Sequence, residues 1–126
     1  MEEIVRRYLR IFVTKDLDEL AAVMDSNVVA HGAGFEVRGR ENIEKSLYND
    51  GLETTDIEVT ELFAAQDRVV VTFIHHLRHI ATDEPAIMTG IKMYRIANGK
   101  IVEFWGETDL YGLLRRLGKV PATVTF

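Results

Sequence analysis

Three carboxylates and a tryptophan alternate near the C-terminal end of the chain. Glu103, Trp105, Glu107 and Asp109 are spaced two apart, so a strand would carry all four side chains on one face. Such a face is hard to bury as plain core, and it would suit a cavity that holds an apolar ligand. Apolar walls raise the pKa of a carboxylate toward the range of a general base. The alternatives are a helix N-cap for Asp109 and a solvated strand edge for Glu103 and Glu107.

The four histidines, His31, His75, His76 and His79, are the other candidates for chemistry. In a strand His76 would point away from the other two, and His75 and His79 would lie about 13 Å apart at roughly 3.3 Å per residue. A zinc ion with bonds of about 2 Å cannot join them, so we predict no metal site. His31 precedes a glycine-rich loop, a place typical of a pocket mouth. A hydrogen-bonded residue without a catalytic role is the alternative for each histidine.

The first half of the chain is predicted to hold most of the helices. Apolar residues recur at intervals of three and four from Ile4 to Phe12, and this helix should stop near Lys15. Asp16 and Glu19 have the spacing of a capping box that opens a second helix. The other elements predicted here are a strand over Asn27–His31, a loop over Gly32–Phe35, and a helix over Arg40–Asn49 that Asp50-Gly51 ends.

The second half of the chain has the period-two spacing of strands. Asn98-Gly99 is a strong signal for a tight turn, which we expect to join the two longest paired strands. Helices followed by a strand meander indicate an α+β fold, in which helices cover one face of an antiparallel sheet. The predicted strands are Thr55–Phe63, Val69–Ile80, Ala86–Ile96 and Lys100–Thr108, and a last short helix over Leu110–Leu117 is stopped by Gly118.

Composition limits the class of protein. A length of 126 residues with 47% hydrophobic residues fits one domain with one core. No apolar run approaches the roughly 18 residues that cross a bilayer, and the acidic N-terminus does not resemble a secretory signal, so we expect a cytoplasmic protein. The net charge of −5 offers no basic excess for nucleic acid. The absence of cysteine excludes disulfides and thiolate chemistry.

Two C-terminal motifs resemble the SnoaL-like polyketide cyclase family. The first is Gly99-Lys-Ile-Val-Glu103 followed by Trp105, and the second is Asp109 followed by Gly112-Leu-Leu-x-x-Leu-Gly118. Upstream, Val28–Gly32, Arg38–Glu41 and Asp67–Val71 are similar to the family's first strand, its third-helix entry and its central strand. The resemblance extends from about Tyr8 to Gly118 and includes the wider nuclear-transport-factor-2-like superfamily.

The resemblance implies a fold and a set of site residues. The fold is a cone, in which a curved antiparallel sheet and its helices close an internal apolar pocket, as one SnoaL-like domain over 1–126. Asp109 falls where the family's cyclases keep a catalytic aspartate, and His31 falls on a histidine at the end of the first strand. Two features depart from the family: Arg115-Arg116 replaces the usual pair of glutamines, and His79 only roughly matches a histidine of the central strand.

These observations lead to the hypothesis of a cofactor-independent enzyme that acts on a hydrophobic, polyketide-like carbonyl compound. Asp109 would remove a proton α to a carbonyl in an intramolecular aldol step or an enolisation, and His31 or His75 would stabilise the enolate oxygen. Neither a metal nor another cofactor is needed. The predicted substrate-binding residues are Trp105, Phe73, Phe35, Glu107 and His79.

The same sequence leaves two alternative functions open and also predicts an oligomeric state. Epoxide hydrolysis would need Arg95 or Arg78 to point inward between carboxylates, and dehydration or hydroxylation would use the same pocket. A noncatalytic binding or dimerisation module would be favoured by an empty, narrow or carboxylate-free cavity. The sheet face opposite the pocket carries Val70, Thr72 and Ile74, which are too apolar for free solvent, so we expect a two-fold homodimer.

Overall fold

The computed structural model describes residues 1–48 and 51–126. The helices in that part of the chain are α1 (Glu2–Thr14), α2 (Leu17–Val23), α3 (Arg40–Ser46) and α4 (Leu110–Arg116). The strands are β1 (Met24–Gly32), β2 (Phe35–Arg38), β3 (Leu52–Ala65), β4 (Arg68–His79), β5 (Glu84–Ala97) and β6 (Lys100–Thr108). The predicted third-helix end at Asn49 and its stop at Asp50 lie outside the described residues.

The boundary between the first two helices follows from local chemistry. Lys15 ends α1 in the left-handed conformation, with φ of 58°. The Asp16 side chain accepts a hydrogen bond from the backbone N–H of Glu19 and caps α2, as the spacing predicted. The Glu19 carboxylate does not complete the capping box, because it accepts a hydrogen bond from Arg7 Nε instead.

All six strands form one curved, open sheet in the order β2-β1-β6-β5-β4-β3. Strands β3 to β6 form the predicted antiparallel meander, whereas β1 runs parallel to β6, which was not predicted. The sheet is therefore mixed. Strand β2 was also missed: the turn at Ala33-Gly34, both with positive φ, returns the chain so that Phe35 pairs with Gly32.

The β5–β6 hairpin turns at Asn98-Gly99, as predicted, and both residues have positive φ. It does not join the two longest paired strands, because β3 and β4 pair over a longer stretch. Near this turn, Val102 is an extra residue in β6 without a pair in β5. This bulge puts Ile101 and Phe104, three residues apart, on the same buried side of the sheet.

The core lies between the concave face of the sheet and α1. Tyr8 of α1 packs edge-on against Tyr94 of β5 with ring centroids 5.8 Å apart, and it also contacts Phe104 of β6. On β4 the side chains alternate as predicted, so that Val71 is buried while Ile74 lies half-buried on the opposite face. No described helix is both long and apolar enough to cross a membrane.

Candidate functional site

The concave sheet face and the helices above it enclose an apolar cavity of about 380 Å³. Residues from every described element except α2 line it. This volume is in the range of small-molecule sites, and the predicted internal pocket is confirmed. Its apolar wall includes Tyr8, Phe12, Val37, Phe73, Leu77 and Phe104.

A lysine from the middle of β5 lines this apolar cavity. Lys92 is half-buried and lies on the same strand face as the fully buried Tyr94. Its Nζ atom lies 5.2 Å from the ring centroid of Phe12 and 5.6 Å from the centroids of both Phe73 and Phe104. The amino group is therefore surrounded by aromatic rings from one helix and two neighbouring strands.

The surroundings of Lys92 disfavour its charged form. Burial lowers the pKa of Lys92 from 10.5 to about 8. The three rings offset part of that cost through cation–π attraction. Among residues 1–48 and 51–126, no carboxylate forms an ion pair with Nζ. The neutral amine is therefore more populated near physiological pH than it is in a lysine with the ordinary pKa.

A glycine on the neighbouring strand β6 makes room for this lysine, and a glycine on β1 makes room for β6. Gly106 of β6 pairs with Lys92 of β5. A Cβ on Gly106 would lie 3.1 Å from Lys92 Cγ and 3.2 Å from Cε. A Cβ on Gly32 would lie 2.5 Å from the Gly106 carbonyl oxygen. The two glycines thus let β1, β6 and the lysine stem approach one another closely at one side of the cavity.

His75 of β4 also lines the cavity. Its Nε2 atom lies 2.7 Å from Thr54 Oγ1 of β3, and its ring packs edge-on against Phe12. Burial, followed by the positive charges of Lys92 and Lys15, lowers the pKa of His75 to about 4. The imidazole is therefore neutral at physiological pH and offers hydrogen-bonding nitrogens in an apolar surrounding.

The cavity-facing side of β6 is the reverse of the predicted one. Phe104, Gly106 and Thr108 line the cavity, whereas Trp105 and Glu107 do not. The prediction put Trp105 on the inner face of β6. Phe104 is the buried aromatic residue, and its side of β6 faces the core. Trp105 instead lies against the Arg68 guanidinium, 5.0 Å from the ring centroid, and Glu107 is exposed.

His31 contributes to the cavity wall, but its imidazole belongs to the opposite face of the sheet. The ring stacks on Trp105 with centroids 5.2 Å apart, and Nε2 lies 2.7 Å from Glu103 Oε2. The bond from His31, together with that from Arg95, holds the pKa of the Glu103 carboxyl below its usual range. The geometry thus separates His31 from His75, the other predicted enolate stabiliser.

Asp109 has the geometry of a helix cap. Its Oδ1 atom accepts a hydrogen bond of 2.8 Å from the backbone N–H of Gly112, at the first turn of α4. The residue is exposed and does not line the cavity. This is the alternative that the sequence left open, and the predicted enclosure of Asp109 between apolar walls is wrong.

The remaining predicted binding residues lie at different distances from the cavity. Phe73 is buried in its wall, and Phe35 lines its mouth while 64% of its surface stays exposed. His79 is not part of the lining, and its Nδ1 atom lies 2.8 Å from Thr82 Oγ1 at the end of β4. Phe73 and Phe35 therefore share the cavity with His75, whereas His79 does not.

The arginine needed for an epoxide hydrolase relay is not in the described cavity lining. Arg95 pairs with Glu103 beside Trp105, and Arg78 pairs with Glu53 and Asp83 at the surface. No carboxylate occurs among the described lining residues, and no group of three or more histidine or acidic residues there could hold a metal ion.

Sequence reasoning missed Lys92. A usable signal was present, because strand alternation puts Lys92 on the face of Gly90 and Tyr94, opposite Ile91 and Met93. A lysine that shares a strand face with a large aromatic residue is a candidate for burial. In the structure, the cavity lining contains both the Lys92 amine, whose pKa is lowered, and the neutral imidazole of His75. The amine can accept a proton, and the imidazole can donate a hydrogen bond to a carbonyl oxygen.

Comparison with protein families supports the fold and the resemblance. The SnoaL-like domain matches residues 5–104. Among curated proteins, none matches the chain significantly.

Solved structures of the same architecture include proteins of different kinds. IdmH of Streptomyces antibioticus, a candidate polyketide cyclase, is 21% identical with a TM-score of 0.79, covering 92% of this chain and 96% of its own. An epoxide hydrolase from M. tuberculosis is 16% identical with a TM-score of 0.77, covering 94% and 89%. A protein with a ketosteroid isomerase-like fold from Catenulispora acidiphila is 18% identical with a TM-score of 0.81, covering 98% of both. At these identities the similarity identifies the fold.

Proposed function

The chain belongs to the SnoaL-like domain family, and we propose that it is a cofactor-independent enzyme of the cyclase or isomerase type. Its substrate is a hydrophobic, carbonyl-bearing molecule of the polyketide class, bound in the cone cavity. The reaction is enolisation, which leads to isomerisation or to an intramolecular aldol ring closure. The observation that carries this proposal is the amino group of Lys92 in an apolar cavity without a described carboxylate partner.

Lys92 takes the part of the general base in this proposal. A base is most effective when its pKa lies near the working pH, and burial lowers the pKa of Lys92 to about 8. The neutral amine removes the proton α to the carbonyl, and the rings of Phe12, Phe73 and Phe104 then stabilise the resulting ammonium group.

His75 takes the part of the hydrogen-bond donor to the developing enolate oxygen. A neutral imidazole polarises a carbonyl without bringing a second positive charge beside Lys92. Thr54, at 2.7 Å from Nε2, holds the ring in place. Phe73 and Phe35 provide apolar surface for the ring system of the substrate.

Asp109, the base expected from the family resemblance, is a weaker candidate. Its exposure and its cap hydrogen bond to Gly112 support a structural role. A role for Asp109 in activity stays a prediction.

Noncatalytic binding of a hydrophobic compound is the second candidate function. The absence of any carboxylate from the described cavity lining favours it. The two candidates differ in one observable respect, because a binding module would hold a ketone without accelerating exchange of its α-hydrogens.

The test uses 1-tetralone, a bicyclic aromatic ketone, in deuterated buffer. Proton NMR would follow the loss of its α-hydrogen signal with the wild type, with Lys92→Met, and with Lys119→Met as an exposed-lysine control. We expect wild type and Lys119→Met to accelerate exchange equally and Lys92→Met to lose about 10²-fold or more of that acceleration. Saturable binding without exchange would favour the binding module, and full activity of Lys92→Met would overturn the role of Lys92.

A further inference from the structure

We propose that Lys92 reacts covalently with aldehydes and unhindered ketones in the cavity, forming an iminium ion between its Nζ atom and the carbonyl carbon. This inference rests on the proposed function only in requiring that a carbonyl compound occupies the cone. It narrows the substrate class, because esters, lactones and epoxides do not form iminium ions with an amine.

The surroundings of Nζ favour nucleophilic attack. Three aromatic rings lie 5.2 to 5.6 Å from Nζ, and the described residues supply no carboxylate ion pair. Desolvation in a hydrophobic pocket is a recognised way to activate a lysine as a nucleophile toward carbonyl groups. The aliphatic stem of Lys92 lies against Gly106, so the amino group enters the cavity from the side of β6.

The step balances without an outside oxidant or reductant. The nitrogen lone pair of the neutral amine attacks the carbonyl carbon, and the C=O π electrons move to oxygen. One proton passes from nitrogen to oxygen, giving a carbinolamine. With one further proton from solvent, the C–O bond breaks, water leaves, and the nitrogen lone pair forms the C=N bond. Solvent water then takes an α-proton from the iminium ion, and the C–H electron pair forms the C=C bond of an enamine while the C=N π electrons return to nitrogen. Reprotonation of the α-carbon and addition of water to the iminium ion give back the amine and a carbonyl compound.

The other lysines lack this combination of features. Lys15 is partly buried, but its Nζ atom donates hydrogen bonds to the carbonyl oxygens of Phe12 and Leu47, which occupy its protons. Lys100 donates to the carbonyl oxygen of Ala21. Lys45 and Lys119 are exposed, and Lys119 serves as the reference for ordinary lysine reactivity.

Other titratable groups in the cavity are compatible with an iminium ion at Lys92. His75 is neutral near pH 7, because burial and the positive charge of Lys92 lower its pKa to about 4. Burial raises the pKa of the Tyr8 phenol, so that Tyr8 keeps its proton. Neither group brings a charge that would lock Lys92 in its ammonium form.

Reductive trapping with 2-naphthaldehyde and sodium cyanoborohydride near pH 8 tests the inference. The intact folded protein would be treated at a low aldehyde concentration, and labelled residues would be identified by peptide mass mapping. At this pH the fraction of neutral amine in an exposed lysine, with the usual pKa of about 10.4, is about 100-fold smaller than in Lys92. We therefore expect Lys92 to be labelled at least about ten times faster than Lys119. The N-terminal amine serves as an internal reference.

Two variants make the outcome decisive. Lys92→Arg keeps a positive charge and should lose the cavity adduct, while Lys119→Arg should keep it, with N-terminal labelling unchanged in both. Labelling of Lys92 no faster than that of Lys119 would overturn the inference. Lys92-dependent exchange of 1-tetralone without a trapped adduct would also overturn it while leaving the proposed function intact. A trapped adduct without exchange would support the inference and contradict enolisation.

Discussion

The side chain of Lys92 lies against the backbone of Gly106, so closely that a Cβ at Gly106 would come within 3.1 Å of Lys92 Cγ. Glycine at this point of strand β6 therefore leaves the space that the lysine stem occupies. The φ angle of Gly106 is not in the left-handed region, so its role is to leave space.

Gly106→Ala should displace the Lys92 amine without unfolding the protein. Its methyl group would meet a flexible side-chain stem that can shift, and alanine in a strand recovers part of the entropic cost of glycine. We expect the free energy of unfolding to change by no more than about 1 kcal/mol. Trapping at Lys92 should fall several-fold while labelling of Lys119 stays constant. Unchanged trapping at Lys92 would show that the position of its stem does not matter.

The cost of burying the Lys92 charge should appear as a pH-dependent stability. The pKa is about 8 in the folded chain and near 10.5 in the unfolded chain, so between these pH values the unfolded chain binds more protons. Stability should therefore rise with pH across this window, and below pH 8 the full cost, roughly 3 kcal/mol, is present.

Lys92→Met removes this charge and keeps an unbranched side chain. After allowing for lost cation–π attraction, we expect the variant to be about 1–3 kcal/mol more stable than wild type at pH 7. The difference should shrink as the pH rises from 8 toward 10.5 in urea unfolding experiments. A variant less stable than wild type at pH 7 would mean that the ammonium group is better solvated than the structure indicates.

Two substitutions at Asp109 distinguish the cap from the base. Asparagine caps helices about as well as aspartate, so Asp109→Asn should keep both its stability and its activity in 1-tetralone exchange. Asp109→Ala should cost about 1 kcal/mol in unfolding free energy. If Asp109→Asn folded normally but lost about 10²-fold in exchange rate, Asp109 would be the general base after all.

The predicted homodimer can be tested by light scattering at micromolar concentration. Val70, Thr72 and Ile74 are half-buried on the sheet face opposite the cavity, and Ile91 on the next strand is 48% exposed. We expect a dimer for the wild type and a monomer for Ile74→Glu, because a charge in this face would be buried unpaired. Val124→Glu changes an exposed apolar residue elsewhere and should stay dimeric. A monomeric wild type would contradict the predicted homodimer.

Local signals in the sequence predicted most of the architecture. Asn98-Gly99 specifies its turn through the positive φ that both residues adopt, and Asp16 caps its helix through its own side chain. The parallel pairing of β1 with β6 is set by contacts between segments far apart in the chain, such as His31 opposite Trp105. No local pattern carries that information.

The candidate site was predicted less well, because its position depends on which face of β6 is buried. Alternation correctly grouped Glu103, Trp105 and Glu107 together, but it cannot say which group faces inward. Phe104 faces the core, so the predicted face turned outward. Lys92 was missed because a lysine in a strand is ordinarily solvent-exposed. The position of its stem over the cavity depends on space left by Gly106.

The pH dependence of 1-tetralone exchange tests the claim that Lys92 is the reactive base of an apolar cavity. The rate with Lys92→Met would be subtracted at each pH to remove exchange caused by solvent. Because the neutral amine is the active form, the remaining rate should rise with pH, pass its midpoint near 8, where the pKa of Lys92 lies, and level off above it. A rate that does not depend on Lys92, or a Lys92-dependent rate with no titration near this pH, would contradict the claim.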